Sequence, residues 1–241
     1  TPHDEKPTRE MALNYYRKVA SAENLPVQTY TRVARIERQS EGFALHTLHT
    51  LYQRPATYRA QCVLLCTGVW GRFRQLSVEG ADLPHVRTHY VEPIRFWRKR
   101  VLIVGAGNSA GEAAIRLADA DATVWLAVDQ PSLEQCKFRP FILRELLLRV
   151  EEQRITPLTN AQILRIRPDC VDLRCAEGIA SLPIDFVLTL IGLEPDRSLL
   201  APLGVPFGED GKPRHDPETY ETPVPGIFVA GALSQDGFVF V

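Results

Sequence analysis

Several things are scarce in this sequence, and each shortage narrows what the chain can be. No apolar run comes near the ~20 residues needed to cross a bilayer, so no membrane span is expected. The net charge is only -1, from 28 Lys+Arg against 29 Asp+Glu. That balance gives no bulk pull toward nucleic acid or an anionic membrane, so neither is expected as a partner. The five cysteines, at 62, 66, 136, 170 and 175, fall in no C-x-x-C spacing. An odd, scattered set argues against a secreted disulfide framework and for a reducing cytoplasm, and no redox disulfide is expected within the chain. No secretion signal opens the sequence, and no repeat or low-complexity tract interrupts it. Histidine is sparse too, with two near-pairs. His46 and His49 fall in an expected strand and point to opposite faces. His85 and His89 fall in an expected loop with no acidic or cysteine cluster, so no metal centre is expected.

What is present is an ordinary globular composition, 45% hydrophobic and 24% charged, over 241 residues. That is enough for one large or two modest domains. The stretch Val101–Asp129 organises the rest. Val101–Val104 is apolar and β-branched, which predicts a strand buried on both faces of a parallel sheet. Gly105-Ala106-Gly107-Asn108-Ser109-Ala110 follows as a G-x-G-x-x-A turn. A helix then carries Ala110, Ala113, Ala114 and Leu117 on one side, and Thr123–Val128 is a second strand. This is one βαβ unit with a dinucleotide fingerprint in its proper place. Gly105 permits the tight turn, Gly107 lets backbone approach a diphosphate, and Ala110 lets helix and strand pack closely. The amides of Asn108 and Ser109 open the helix, where its dipole favours an anion.

Around that unit the chain reads as follows. Thr8 caps a helix that ends near Asn24. Short strands are expected at Val33–Ile36, Phe43–Leu45 and Thr57–Arg59, with turns at Glu41-Gly42 and Pro55. Cys62–Cys66 reads as a buried strand with both cysteines packed in the core, running into Thr67-Gly68. Residues 69–92 read as loop. A helix is expected over Phe141–Glu152, its Arg139, Arg144 and Arg149 forming a solvated face. Strands follow at Ile155–Leu158, Ile163–Ile166, Val171–Leu173 and Phe186–Ile191, the last ending at Gly192. Gly226–Ala230 is the final strand, closed by Gly231-Ala232. Strands that end in glycine bring backbone to the carboxyl edge of a sheet, where a ligand can touch it.

Taken together, these motifs resemble the two-dinucleotide-binding-domain flavoproteins, the thioredoxin reductase-like pyridine nucleotide-disulfide oxidoreductases. Within them the bacillithiol-disulfide (bacilliredoxin) reductase family is most similar. The resemblance rests on Lys6-Pro7-Thr8-Arg9 running into Ala12–Arg17, Cys66-Thr67-Gly68, the GAGNSA turn, Ile191-Gly192-Leu193-Glu194-Pro195-Asp196 and Glu221–Gly231. It implies an α/β fold: a Rossmann-like NAD(P)-binding domain at 93–205, inserted in an incomplete FAD-binding domain at 1–92 and 206–241. Three layers are expected, a parallel sheet with a small antiparallel meander. It also implies hydride transfer from NAD(P)H to FAD, then to a disulfide or a small electron carrier. Thr67, Gly68, Gly231 and Ala232 would meet the flavin; Gly105, Gly107, Asn108, Ser109, Ala110, Asp129 and Gly192 the nicotinamide dinucleotide. No residue is assigned as catalytic.

The family's opening strand–turn–helix has no counterpart before residue 101, and the sequence stops within the apolar run Gly237–Val241. The expectation is a piece cut at both ends, which alone would hold FAD poorly and be inactive. At the end of the second strand stand Val128-Asp129-Gln130, then Glu134. A carboxylate there accepts hydrogen bonds from a free ribose 2′-hydroxyl and repels a 2′-phosphate. Charge therefore leans to NADH. Lys137 and Arg139 in the next loop, and the resemblance itself, point to NADPH. Two alternatives share the architecture, a ferredoxin or flavodoxin reductase and a flavin monooxygenase. One lies outside it, a non-catalytic NAD(H)-binding module. A homo-oligomer is left open.

Overall fold

The computed structural model describes residues 8–69, 72–89, 92–176 and 178–234. In chain order they form α1 (Arg9–Ala22), β1 (Thr31–Arg38), β2 (Phe43–His49), β3 (Arg54–Ala60), β4 (Val63–Leu65), β5 (Arg72–Phe73), β6 (Val86–Arg87) and β7 (Arg100–Val104). Then come α2 (Asn108–Asp119), β8 (Thr123–Ala127), α3 (Pro140–Glu151), β9 (Ile155–Leu158), β10 (Gln162–Ile166), β11 (Cys170–Cys175) and β12 (Gly178–Pro183). The chain closes with β13 (Phe186–Thr189), β14 (Leu193–Glu194) and β15 (Ile227–Val229). No helix among the described residues is long and apolar enough to cross a membrane. The chain divides into two compact units. One gathers the residues up to Leu65 with Arg197–Gly208 and Pro213–Ala230. The other holds Cys66–Asp196, Glu209–Lys212 and the residues from Gly231 on.

The first unit contains the antiparallel meander β1-β2-β3 and the parallel pair β4-β15. Ile36, Phe43, Ala44 and Thr47 are buried in the meander. Its first turn needs glycine, because Gly42 has φ +86° and a side chain there would meet the Ala60 carbonyl at 2.3 Å. Pro55, expected in a turn, lies inside β3 opposite Leu48. β3 pairs on one side only, so a missing N–H facing outward breaks no ladder. In β4 the period of two puts Val63 and Leu65 inside and Leu64 outside, 60% exposed. Cys62 and Cys66 flank that strand and are exposed, which corrects the core placement expected for them. The Thr8 hydroxyl caps α1 by accepting the Met11 N–H at 3.2 Å. None of that helix's residues is buried.

The second unit is built on a five-stranded parallel sheet, order β6-β13-β7-β8-β9. Val101 and Ile103 of β7 face α2 and α3, packing with Ala113, Leu117, Ile142 and Leu146. Leu102 faces the other way, onto Ile163, Ile166, Val171 and Leu173 of the antiparallel meander β10-β11-β12. The result is three layers, helices over sheet over meander. It explains why β7 and β8 are apolar without alternation: both faces are covered. Segment 69–92, expected as loop, contributes β5 and β6, and β6 is the sheet's outer strand beside β13. Gly111 lets the two helices touch; a side chain there would meet Ile142 Cγ2 at 2.6 Å. Arg149, expected in solvent, is only 16% exposed in its side chain. It grips Asp119 at the end of α2 through Nε at 2.9 Å and Nη2 at 3.3 Å.

Candidate functional site

The carboxyl ends of the parallel strands open into a cleft of about 1050 Å³. Its floor is the turn after β7. Gly105 has φ +148° and donates its N–H to the Ala127 carbonyl at 3.0 Å. A side chain at Gly105 would meet the Leu190 carbonyl at 2.3 Å and Ala110 Cβ at 3.2 Å, so the fold itself demands glycine. Gly107 differs. It caps α2 in ordinary extended backbone, φ -114° and ψ 172°, and an added Cβ would meet nothing within 4 Å. No side chain caps the helix. The amides of Asn108 and Ser109 and the positive end of its dipole are therefore left to whatever enters the cleft. Ala110, wholly buried, lies beneath the turn, and its N–H returns to the Gly107 carbonyl at 3.0 Å.

The walls come from the ends of the neighbouring strands. After β8 stand Asp129 and Gln130, the amide of Gln130 donating to Asp129 Oδ1 at 3.3 Å. Gln135, Cys136 and Lys137 close over that side. Lys137 pairs in backbone with Gly107, its N–H donating to the Ala106 carbonyl at 3.0 Å. Arg139 is not among the lining residues, and its backbone N–H donates to Asn108 Oδ1 at 2.8 Å. Glu134 also stays out of the lining; a hydrogen bond with Ser132 lowers its carboxyl. Opposite, Thr189 ends β13 and Leu190–Leu193 follow it, with Gly192 at φ +110°. Burial chiefly, and then the charges of Asp129 and Glu134, push the Cys136 thiol up to about 11. It is a neutral thiol at physiological pH, not a nucleophile.

Of the residues singled out from sequence, Gly105, Gly107, Asn108, Ser109, Asp129 and Gly192 line this one cleft. Thr67, Gly68, Gly231 and Ala232 do not. They follow β4 and β15, which end level: Leu65 faces Val229, and the Ala230 N–H donates to the Leu65 carbonyl at 3.0 Å. Gly68 and Gly231 both take positive φ, +67° and +69°. The sequence reading passed over Arg74, Glu112 and Thr189 and weighed His89 only as a metal ligand; all four line the cleft. Arg74 and His89 lie on segments too short to show a period. Glu112, one turn into α2, carried the only available signal. The grouping of three or more His, Cys, Asp or Glu that a metal needs is absent among the described residues.

The residues present fit a dinucleotide diphosphate at α2, where the turn is glycine both by need and by vacancy. The fit to FAD is narrower. The described residues following β4 and β15 supply glycine backbone at a sheet edge and one 3-10 turn, Gly231–Leu233, but no glycine turn leading into an α-helix.

Comparison with known proteins bears on both. The family model described as pyridine nucleotide-disulphide oxidoreductase matches residues 1–231. Bacilliredoxin reductase Bdr of Bacillus subtilis is 30% identical over 236 residues, 95% of this chain and 69% of that protein. A ferredoxin–NADP reductase of Thermus thermophilus is 28% identical over 213 residues, 84% of this chain and 60% of that one. The solved bacillithiol disulfide reductase of Bacillus cereus superimposes with a TM-score of 0.90 at 26% identity, over 97% of this chain and 72% of that one. With the three-layer nucleotide fold in place, the chain belongs to the pyridine nucleotide-disulphide oxidoreductase family, as a flavin-dependent oxidoreductase.

Proposed function

We propose that the cleft behind Gly107 binds NADH in preference to NADPH, and that the protein to which this chain belongs passes its hydride to FAD and on to a disulfide. One observation carries the reading: an uncapped helix start facing open space through a glycine that the fold does not require. The Gly107–Ser109 backbone would hold the diphosphate. Gly192 backbone, on the opposite wall, would leave room for the rest of the dinucleotide. Asp129 would accept hydrogen bonds from the adenine ribose and repel a 2′-phosphate. The dinucleotide and flavin, when bound, supply the redox chemistry; the protein orients and shields them. Thr67-Gly68 and Gly231-Ala232 are proposed as the flavin edge. A disulfide acceptor is favoured by the bacilliredoxin reductase relative, which this chain matches over more of its length than the ferredoxin–NADP reductase, the second reading. None of the five cysteines forms a disulfide, which suits a reducing compartment, and we place the protein in the cytoplasm.

Titration with NADH and with NADPH, followed by nicotinamide fluorescence, tests this. NADH should bind more tightly, and Asp129→Ala should narrow the preference by about tenfold. Tighter NADPH binding by the unmodified protein would overturn the role of Asp129. Binding of neither would overturn the cleft assignment itself.

A further inference from the structure

We infer that Asn108 is a positioning residue: it ties the crossing segment Gln135–Arg139 to the glycine turn, and so fixes Lys137 as the countercharge to the dinucleotide's diphosphate. This rests on the reading of the cleft as a nicotinamide-dinucleotide site. Asn108 is the first residue of α2, one past its cap Gly107, and its side chain serves another element. Its Oδ1 accepts the backbone N–H of Arg139 at 2.8 Å, in a half-buried bond. Arg139 is the cap residue just before α3, and its own side chain makes no capping bond to that helix. Two residues earlier, Lys137 is bonded to the turn through the Ala106 carbonyl and pairs with Gly107 itself. The segment is thus fastened on both sides of Phe138, and Lys137 is held next to the residue whose missing side chain opens the cleft.

The charges argue the same way. Arg74, His89 and Lys137 are the basic side chains lining the cleft. Arg74 is engaged by Glu194 at 3.6 Å, and His89 stacks on Phe73. Among the described residues Lys137 has no anionic partner. An ammonium without a partner, beside a helix start that already favours an anion, adds to the same site. Because its anchor is Gly107, at the turn, its ligand is the diphosphate common to both cofactors. Selection between NADH and NADPH stays with Asp129. A tethered lysine also loses less side-chain and backbone freedom on binding than one on a free loop.

A binding cycle over Asn108→Ala, Lys137→Ala and the double variant tests the inference, with NADH and NADPH as probes. Lys137→Ala should weaken both by about tenfold and flatten the dependence of affinity on salt. Asn108→Ala should weaken both by a lesser factor, and hydrogen exchange at the Arg139 amide should accelerate. In the double variant Asn108→Ala should add nothing, since it acts through Lys137. Arg139→Pro removes the same donor at φ -66°, an angle proline accepts, and serves if Asn108→Ala does not fold. It should reproduce the loss. Additive effects, an unchanged salt slope for Lys137→Ala, or a loss confined to NADPH would overturn the proposal while leaving the cleft assignment standing. Failure of the unmodified protein to bind either cofactor would instead remove the reading on which it rests.

Discussion

Two glycines two residues apart do opposite work. Gly105 is demanded by the protein: φ +148° and a carbonyl 2.3 Å from any added Cβ leave no alternative. Gly107 is demanded by nothing in the protein, which is what a ligand contact looks like before the ligand arrives. Gly105→Ala should therefore lower stability by about 2–4 kcal/mol. Gly107→Val should cost only about 1 kcal/mol, as a poorer helix cap, while abolishing measurable NADH binding. Chemical denaturation beside a nucleotide titration separates the two. Equal destabilisation by both would show that the vacancy at Gly107 is not a ligand's. The motif and its order were legible in the sequence because each position answers to a local rule. The cysteine pair at 62 and 66 was not. A five-residue apolar run implies cover on both faces, yet Leu64 and its flanking thiols look outward.

At the scale of elements, the crossing of α2 and α3 depends on a missing side chain and an ion pair. Gly111→Ala gains helix propensity of about 1 kcal/mol but drives a methyl to 2.6 Å from Ile142. Overpacking of that kind costs about 1–3 kcal/mol, so the net change should be a loss. Ile142→Ala, which removes the Cγ2 methyl, should cost less beside Gly111→Ala than in the unmodified protein. If Gly111→Ala stabilises the protein in urea, the helices are not in contact there. A second element contact responds to acid. Arg100 at the start of β7 binds the Asp185 carboxylate at 2.8 Å and donates its backbone N–H to it at 2.8 Å, holding the carboxyl below the ordinary range. That contribution is complete above an unfolded carboxyl's pKa near ~3.9 and disappears as pH falls through the lower folded value. Asp185→Asn should cost about 1 kcal/mol at pH 7, discounted for partial exposure, and little at pH 2. A constant difference across that range would contradict it. The periodic helices α2 and α3 were readable, and β7 was readable from its unbroken apolar run. β12 was missed because its residues are nearly all exposed and carry no alternation, and β5 and β6 because two residues cannot show a period.

For the whole molecule, the family and layer order could be anticipated from the motifs that resemble known flavoproteins, the GAGNSA turn and the Glu221–Gly231 segment among them. The arrangement of contacts around the cleft could not, since Asn108 to Arg139 and Gly107 to Lys137 join a motif to a loop with no pattern of its own. The pairing of β4 with β15 has a consequence in time. Residues 66–196 of the sheet-bearing unit are one unbroken stretch, whereas β4 finds its neighbour only near the far end of the chain. Closing so long a loop is slow, so amides of Val101–Val104 should be protected from exchange early in refolding and those of Val63–Leu65 late. Simultaneous protection in pulse labelling would refute that order. On a ribosome the same geometry means that the cleft behind Gly107 would be assembled while the edge beside Gly68 still waits for its second strand to be synthesised.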